Sequence, residues 1–114
     1  MKVLVTGGAG FIGANLVKAL ANAGGIQEIV VIDDLSFGFR SNLNDLEVTF
    51  IEGSILDEDL LKVTMEGASS VVPLAARSSV PRSIVDPMAA HRDNATGTAL
   101  VLEAARAEGD VQVI

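Results

Sequence analysis

The chain of 114 residues contains no cysteine, tryptophan or tyrosine, and only one histidine. Without cysteine, these residues form no disulfide, thiolate nucleophile or iron–sulfur cluster. His91 has Ala95 one helical turn beyond it, so no metal-ligand pair builds around it, and its expected place is a helix surface. Basic residues are scarce as well. Eight stand against fifteen acidic ones, and a formal charge of −7 argues against a nucleic-acid partner or an anionic membrane surface. No apolar run is long enough to span a bilayer, and the N-terminus lacks the layout of a signal peptide. The expected location is cytoplasmic. Linkers, repeats and low-complexity segments are missing too, and the length suits a single domain with a modest core.

What is present begins at the N-terminus. Residues 2–13 read KVLVTGGAGFIG, an apolar strand running into a glycine-rich turn and then an apolar helix. Gly8 is expected to supply the positive φ that such a turn needs. Gly10 lets a pyrophosphate approach the backbone, and Gly13 lets helix and strand pack closely. Gly7 adds a second GxxGxxG phase. The first N–H groups of a helix have no intrahelical acceptor and carry the positive end of its dipole, which suits a phosphate pair.

A GxGxxG pattern occurs by chance, so its context decides. Val3-Leu4-Val5 provides the strand, and Phe11, Ile12, Leu16, Val17 and Leu20 provide helical spacing. Asp33 follows the next apolar run, about 20 positions on, where a carboxylate accepts hydrogen bonds from ribose hydroxyls. With Asp34 it would repel a 2′-phosphate, and the nearest base, Arg40, is not directly after the strand. These features favour NAD over NADP. The alternative is that Asp33 and Asp34 merely open a solvated loop.

Further along, strands are expected at residues 2–6, 28–32, 47–51 and 70–74, with a last one starting at Val111. They are apolar nearly throughout, as strands buried on both faces of a parallel sheet are. Helices are expected over residues 10–23, from the Asp57 cap to near Gly67, and from Asp86-Pro87 to Glu108. The fold class is therefore α/β, a Rossmann-type doubly wound parallel sheet of order 3-2-1-4-5, ending just after strand five begins. The connection 33–46 is long for so short a chain. It is expected to wrap an adenosine, with a disordered surface loop as the alternative.

TGGAGFIG, IDDLSFG, LAARSSVPRSIVDP and NATGT, in that order, resemble the extended short-chain dehydrogenase/reductases. The narrower resemblance is to the NAD-dependent epimerase/dehydratase family acting on nucleotide sugars, UDP-glucose 4-epimerase-like members most of all. It covers the whole chain but only the N-terminal part of such proteins, so residues 1–114 would be one NAD(P)-binding Rossmann domain without the C-terminal substrate domain. The resemblance implies that Gly7, Gly10, Phe11, Ile12 and Gly13 line the pyrophosphate. Asp33 would meet the ribose, and Asp34, Ser36, Phe37 and Gly38 would continue around the adenosine. Ser54 and Ile55 would touch the adenine edge, where the family usually has an aspartate and an apolar residue. Leu74, Ala75, Ala76 and Arg77 would pass under the nicotinamide, and Asn94 would reach the cofactor from the third helix. For Asn94, an ordinary polar helix residue is the alternative. Ser78, Ser79, Arg82 and Ser83 fall on the loop that faces substrate. Pro73 replaces the usual histidine, and a proline there should perturb strand pairing.

The resemblance also implies catalysis by a Ser/Thr, a Tyr and a Lys in and beyond the fifth strand. This chain has no tyrosine. Lys2 is at the wrong end of its strand, Lys18 and Lys62 belong to helix surfaces, Asp86 reads as a cap, and Asp93 reads as a solvated side chain. The expectation is NAD binding without turnover, with a nucleotide-sugar substrate only if the C-terminal part is supplied. A non-catalytic dinucleotide-binding or sensor module is the alternative. Apolar residues of the third helix, left uncovered, predict self-association or marginal stability.

Overall fold

Side chains on a strand alternate between faces, and along β1 (Lys2–Thr6) both sets are apolar and buried, Leu4 to one side and Val3 and Val5 to the other. β2 (Glu28–Asp33) repeats this, with Val30 and Ile32 joining Leu4 while Ile29 and Val31 join Val3 and Val5. Such strands need cover on both faces. The computed structural model describes residues 1–75 and 80–114. In it, α1 (Phe11–Ala23) and a 3₁₀ turn at Arg40–Leu43 cover one face through Val17 and Leu43. On the other face, α2 (Glu58–Met65) brings Leu61 and Met65.

β3 (Thr49–Glu52), β4 (Ser70–Pro73) and β5 (Gln112–Val113) complete a parallel sheet of order β3-β2-β1-β4-β5, as expected. The register pairs Thr6 with both Ile32 and Pro73, and Asp33 with Glu52. The carboxyl ends of β1 to β4 therefore lie along one edge, and β1 sits where the winding reverses.

Helix boundaries follow their caps. The Asp57 carboxylate accepts the Leu60 N–H at 3.1 Å, and the Asp86 carboxylate accepts that of Ala89 at 3.0 Å. Four local features depart from expectation. Gly7, at φ +74°, takes the positive φ expected of Gly8. A Cβ on Gly8 would instead fall 2.5 Å from Val31 Cγ1, so Gly8 serves helix–sheet packing. β3 begins at Thr49 rather than residue 47, because Leu46 and Val48 pack on the core from the loop before it. The segment read as a substrate-facing loop holds a helix, α3 (Val80–Val85), which includes Arg82 and Ser83, while Ser78 and Ser79 lie outside the described residues. Ile84 and Val85 on it are exposed, so these two apolar positions do not mark a core-facing side of the helix.

The fourth departure lies in the last helix, which is continuous but not uniform. It runs as α4 (Pro87–His91), a π-helical turn at Arg92–Thr96 and α5 (Gly97–Glu108), which adds Val101 and Ala105 to the core. A wide turn has no signature in a 3.6-residue pattern. Outward from this helix and α3, Ile84, Val85, Met88 and Leu102 are exposed.

Pro73 is accommodated with little disturbance. The next residue, Leu74, donates to Thr6 O at 2.9 Å, so pairing to β1 continues past the proline. On the β5 side, the carbonyls of Ser69 and Val71 accept from Gln112 and Ile114, and the ladder to β5 goes no further than Val71–Val113.

Leu4 is fully buried, and Leu4→Ala is expected to lower the unfolding free energy by about 2–5 kcal/mol. Val63→Ala, at an exposed site on α2, should change it by less than about 0.5 kcal/mol. Urea unfolding followed by circular dichroism checks both.

Candidate functional site

The carboxyl edge of the sheet opens into a groove of about 440 Å³. One wall is the turn from β1 to α1. Gly7 N–H donates to Ile32 O at 2.8 Å, and a Cβ on Gly7 would fall 2.6 Å from the Ala75 nitrogen, so the turn is wedged between the ends of β2 and β4. A Cβ on Gly13 would run into the Gly7 carbonyl and lie 2.7 Å from Gly8 Cα. Both are backbone atoms that cannot step aside. Gly10 differs: a Cβ there would meet nothing nearer than Gly7 O at 3.6 Å, an ordinary contact. The protein itself does not require glycine at this position; what a side chain would occupy is groove.

Ala14 N–H finds the Gly10 carbonyl at 2.9 Å, while the N–H groups of Phe11, Ile12 and Gly13 have no intrahelical acceptor. All three residues line the groove, so the positive end of α1 serves it. The side chains of Phe11 and Ile12 are 85% and 70% exposed beside it, an unusual use of apolar residues unless something covers them.

Asp33, the last residue of β2, is 8% exposed. Its Oδ2 accepts the Ala9 N–H at 2.9 Å and its Oδ1 the Leu35 N–H at 2.8 Å. The Ala9 carbonyl in turn accepts from Phe39 N–H at 3.1 Å and from Asn42 Nδ2 at 2.8 Å. A Cβ on Gly38 would collide with that same carbonyl. The 33–46 connection is thus ordered and pinned onto the glycine turn. A carboxylate has about four acceptor positions, so Asp33 keeps capacity towards the groove it lines. Asp34 Oδ1 accepts from both the N–H and the hydroxyl of Ser36, which holds the start of the loop in a tight turn.

Of the residues expected at a cofactor site, the groove brings together Gly7, Gly10, Phe11, Ile12, Gly13, Asp33, Asp34, Ser36, Phe37, Gly38, Ser54, Ile55, Leu74 and Ala75. Ala76 and Arg77 lie outside the described residues. Asn94 is exposed on the π turn and does not line the groove; its neighbour Asp93, read as solvated, is half-buried and does. Gly53 is a second lining residue that sequence reasoning missed. No spacing rule singles out Asp93, because the π turn that carries it shifts the helical phase. Among the described lining residues the only charges are carboxylates, Asp33, Asp34 and Asp93. No group of three potential metal ligands occurs among the described residues, and no helix there is long and apolar enough to cross a membrane.

A doubly wound parallel sheet with a glycine turn feeding a helix at its reversal point, and a carboxylate ending the next strand, defines the class of dinucleotide-binding folds. The chain belongs to the NAD dependent epimerase/dehydratase family, whose profile matches residues 3–114. It is 35% identical to the UDP-glucose 4-epimerase of Erwinia amylovora, over all of this chain and 36% of that protein. A dTDP-glucose 4,6-dehydratase from Streptomyces venezuelae, solved with NAD bound, superposes with a TM-score of 0.92 at 35% identity over 99% of this chain and 38% of that one. The UDP-glucose 4-epimerase of Thermus thermophilus in complex with NAD gives 0.88 at 36% identity, over 99% of this chain and 36% of that one. The chain thus spans about a third of the length of these relatives.

The geometry separates two kinds of glycine. Gly13→Ala is expected to lower the melting temperature of the ligand-free protein by several degrees or prevent folding, and Gly10→Ala to leave it nearly unchanged. Asp33→Asn should cost about 1–3 kcal/mol without any ligand, because an amide presents one acceptor where two backbone N–H groups need one each. Thermal and urea unfolding of the three variants measure these effects.

Proposed function

We propose that this chain is the NAD-binding portion of a nucleotide-sugar epimerase or dehydratase of the UDP-glucose 4-epimerase kind, holding the dinucleotide without turning over sugar on its own. The observation that carries the reading is the juxtaposition of the free first-turn amides of α1, the open space at Gly10 and the Asp33 carboxylate in one groove. A pyrophosphate would lie on the amides of Phe11, Ile12 and Gly13, against Gly7 and Gly10. Asp33 would accept the ribose hydroxyls, with Asp34, Ser36, Phe37 and Gly38 around the adenosine and Ser54 and Ile55 at the base. Leu74 and Ala75 would border the nicotinamide end, with Asp93 on the helix opposite.

When bound, NAD supplies a hydride acceptor. This chain's own contribution is to bind and orient. No tyrosine is available to take a proton from a sugar hydroxyl, and Lys18 and Lys62 are exposed on the surfaces of α1 and α2. Three carboxylates on the groove support NAD over NADP, since a 2′-phosphate next to Asp33 and Asp34 would meet like charge.

Calorimetric titration tests this. NAD is expected to bind one to one, and NADP at least about tenfold more weakly, a difference of about 1.4 kcal/mol. Gly10→Ala should weaken NAD while sparing stability. Neither epimer nor reduced cofactor should form from nucleotide sugars. Failure of NAD to bind, or a preference for NADP, would overturn the reading.

A further inference from the structure

From Pro81 onwards, α3 adds nothing to the core. Pro81, Arg82, Ile84 and Val85 are exposed and Ser83 is half-buried. Segments that open to pass a ligand are drawn from such weakly buried elements. Asp86 separates α3 from α4. Its carboxylate caps α4 through the Ala89 N–H, and Pro87 disfavours a helical conformation at Asp86, which has φ −136° and ψ 78°. The two helices are therefore jointed rather than continuous, and residues at such element ends are where a hinge absorbs rotation.

Across the site, α3 meets the connection after β2. The Arg82 guanidinium carbon lies 4.6 Å from the centroid of the Phe37 ring, a cation–π contact. Phe37 lines the groove and follows β2, whereas α3 follows β4. β1 stands between these strands, and two strand spacings amount to about 10 Å. The contact thus joins the two sides of the groove past the end of β1, where the glycine turn begins. Its partners are held unequally. Phe37 stands on fixed backbone, between Ser36, tied to Asp34, and Gly38, which rests on the Ala9 carbonyl. Arg82 rides on the jointed helix.

Resting on the dinucleotide reading above, we propose that α3 is a strap across the carboxyl edge, hinged at Asp86 and latched by Arg82 on Phe37, which unlatches for a dinucleotide to enter or leave. Both halves of the latch belong to the chain, so it closes without help from a ligand. Weakening it therefore speeds entry and exit alike. A side chain that merely touched the bound ligand would alter exit alone, and loss of a positive charge by itself would slow the approach of an anion.

The test is stopped-flow fluorescence of the whole chain with NADH as the probe, for the wild type, Arg82→Gln, Phe37→Leu and the double variant. Entry is followed on mixing and exit on displacement by excess NAD. Arg82→Gln is expected to raise both rate constants by about two- to fivefold, the range that loss of an exposed cation–π contact gives, and to leave Kd within about twofold. In the Phe37→Leu background the same change should add little, because the partner is already gone. Unchanged rates, faster exit without faster entry, or an Arg82→Gln effect undiminished by Phe37→Leu would overturn the strap. If the wild type binds no dinucleotide at equilibrium, the underlying reading fails first and takes this one with it. Should Phe37→Leu not fold, the entry rate of Arg82→Gln decides alone.

Discussion

Both polar groups of the Ala9 peptide are held by the chain that leaves β2, and the rest of the groove depends on that clamp. The N–H goes to the Asp33 carboxylate, and the carbonyl receives Phe39 N–H and the Asn42 amide. Ala9 itself is fully buried. A turn made largely of glycine has little intrinsic preference for one shape. Here the shape comes from a charge-assisted bond to a residue 24 positions away, and such bonds are about twice as strong as neutral ones. The same carboxylate caps its own turn through Leu35 N–H. One side chain therefore sets the glycine turn, the exit from β2 and the acceptor that faces the groove.

Close packing then selects the glycines in different ways. Gly13 and Gly7 are required by neighbouring backbone, and Gly8 by Val31. Gly38 is required because the loop after β2 rests on the Ala9 carbonyl. Gly10 alone is free of such demands while lining the groove. Most of the motif is thus a packing solution that brings a helix N-terminus to the sheet edge. One position is left where a side chain would meet only open groove.

The candidate site was legible in the sequence wherever one strand end or one helix start sufficed to define a position. Asp33 follows an apolar run, Gly7 to Gly13 follow another, and Ser54 and Leu74 follow the next two. Parallel pairing in register then brings those ends to one edge. Legibility failed where position depends on phase along a helix. The π turn at Arg92–Thr96 turns Asp93 rather than Asn94 to the groove. On α3 the apolar Ile84 and Val85 are exposed, so their pattern did not distinguish it from a loop.

By itself, the sequence determined the doubly wound order and the two-faced core, because strands apolar on both sides admit few other arrangements. It also determined the kind of ligand, because helix amides and a strand-end carboxylate follow from local spacing. Only the tertiary structure decided that Asp33 braces the turn it faces and that Pro73 spares the β1 ladder. It alone decided that Gly7 rather than Gly8 takes the left-handed conformation. Those outcomes depend on which backbone groups from distant segments meet, and local pattern carries no record of such meetings.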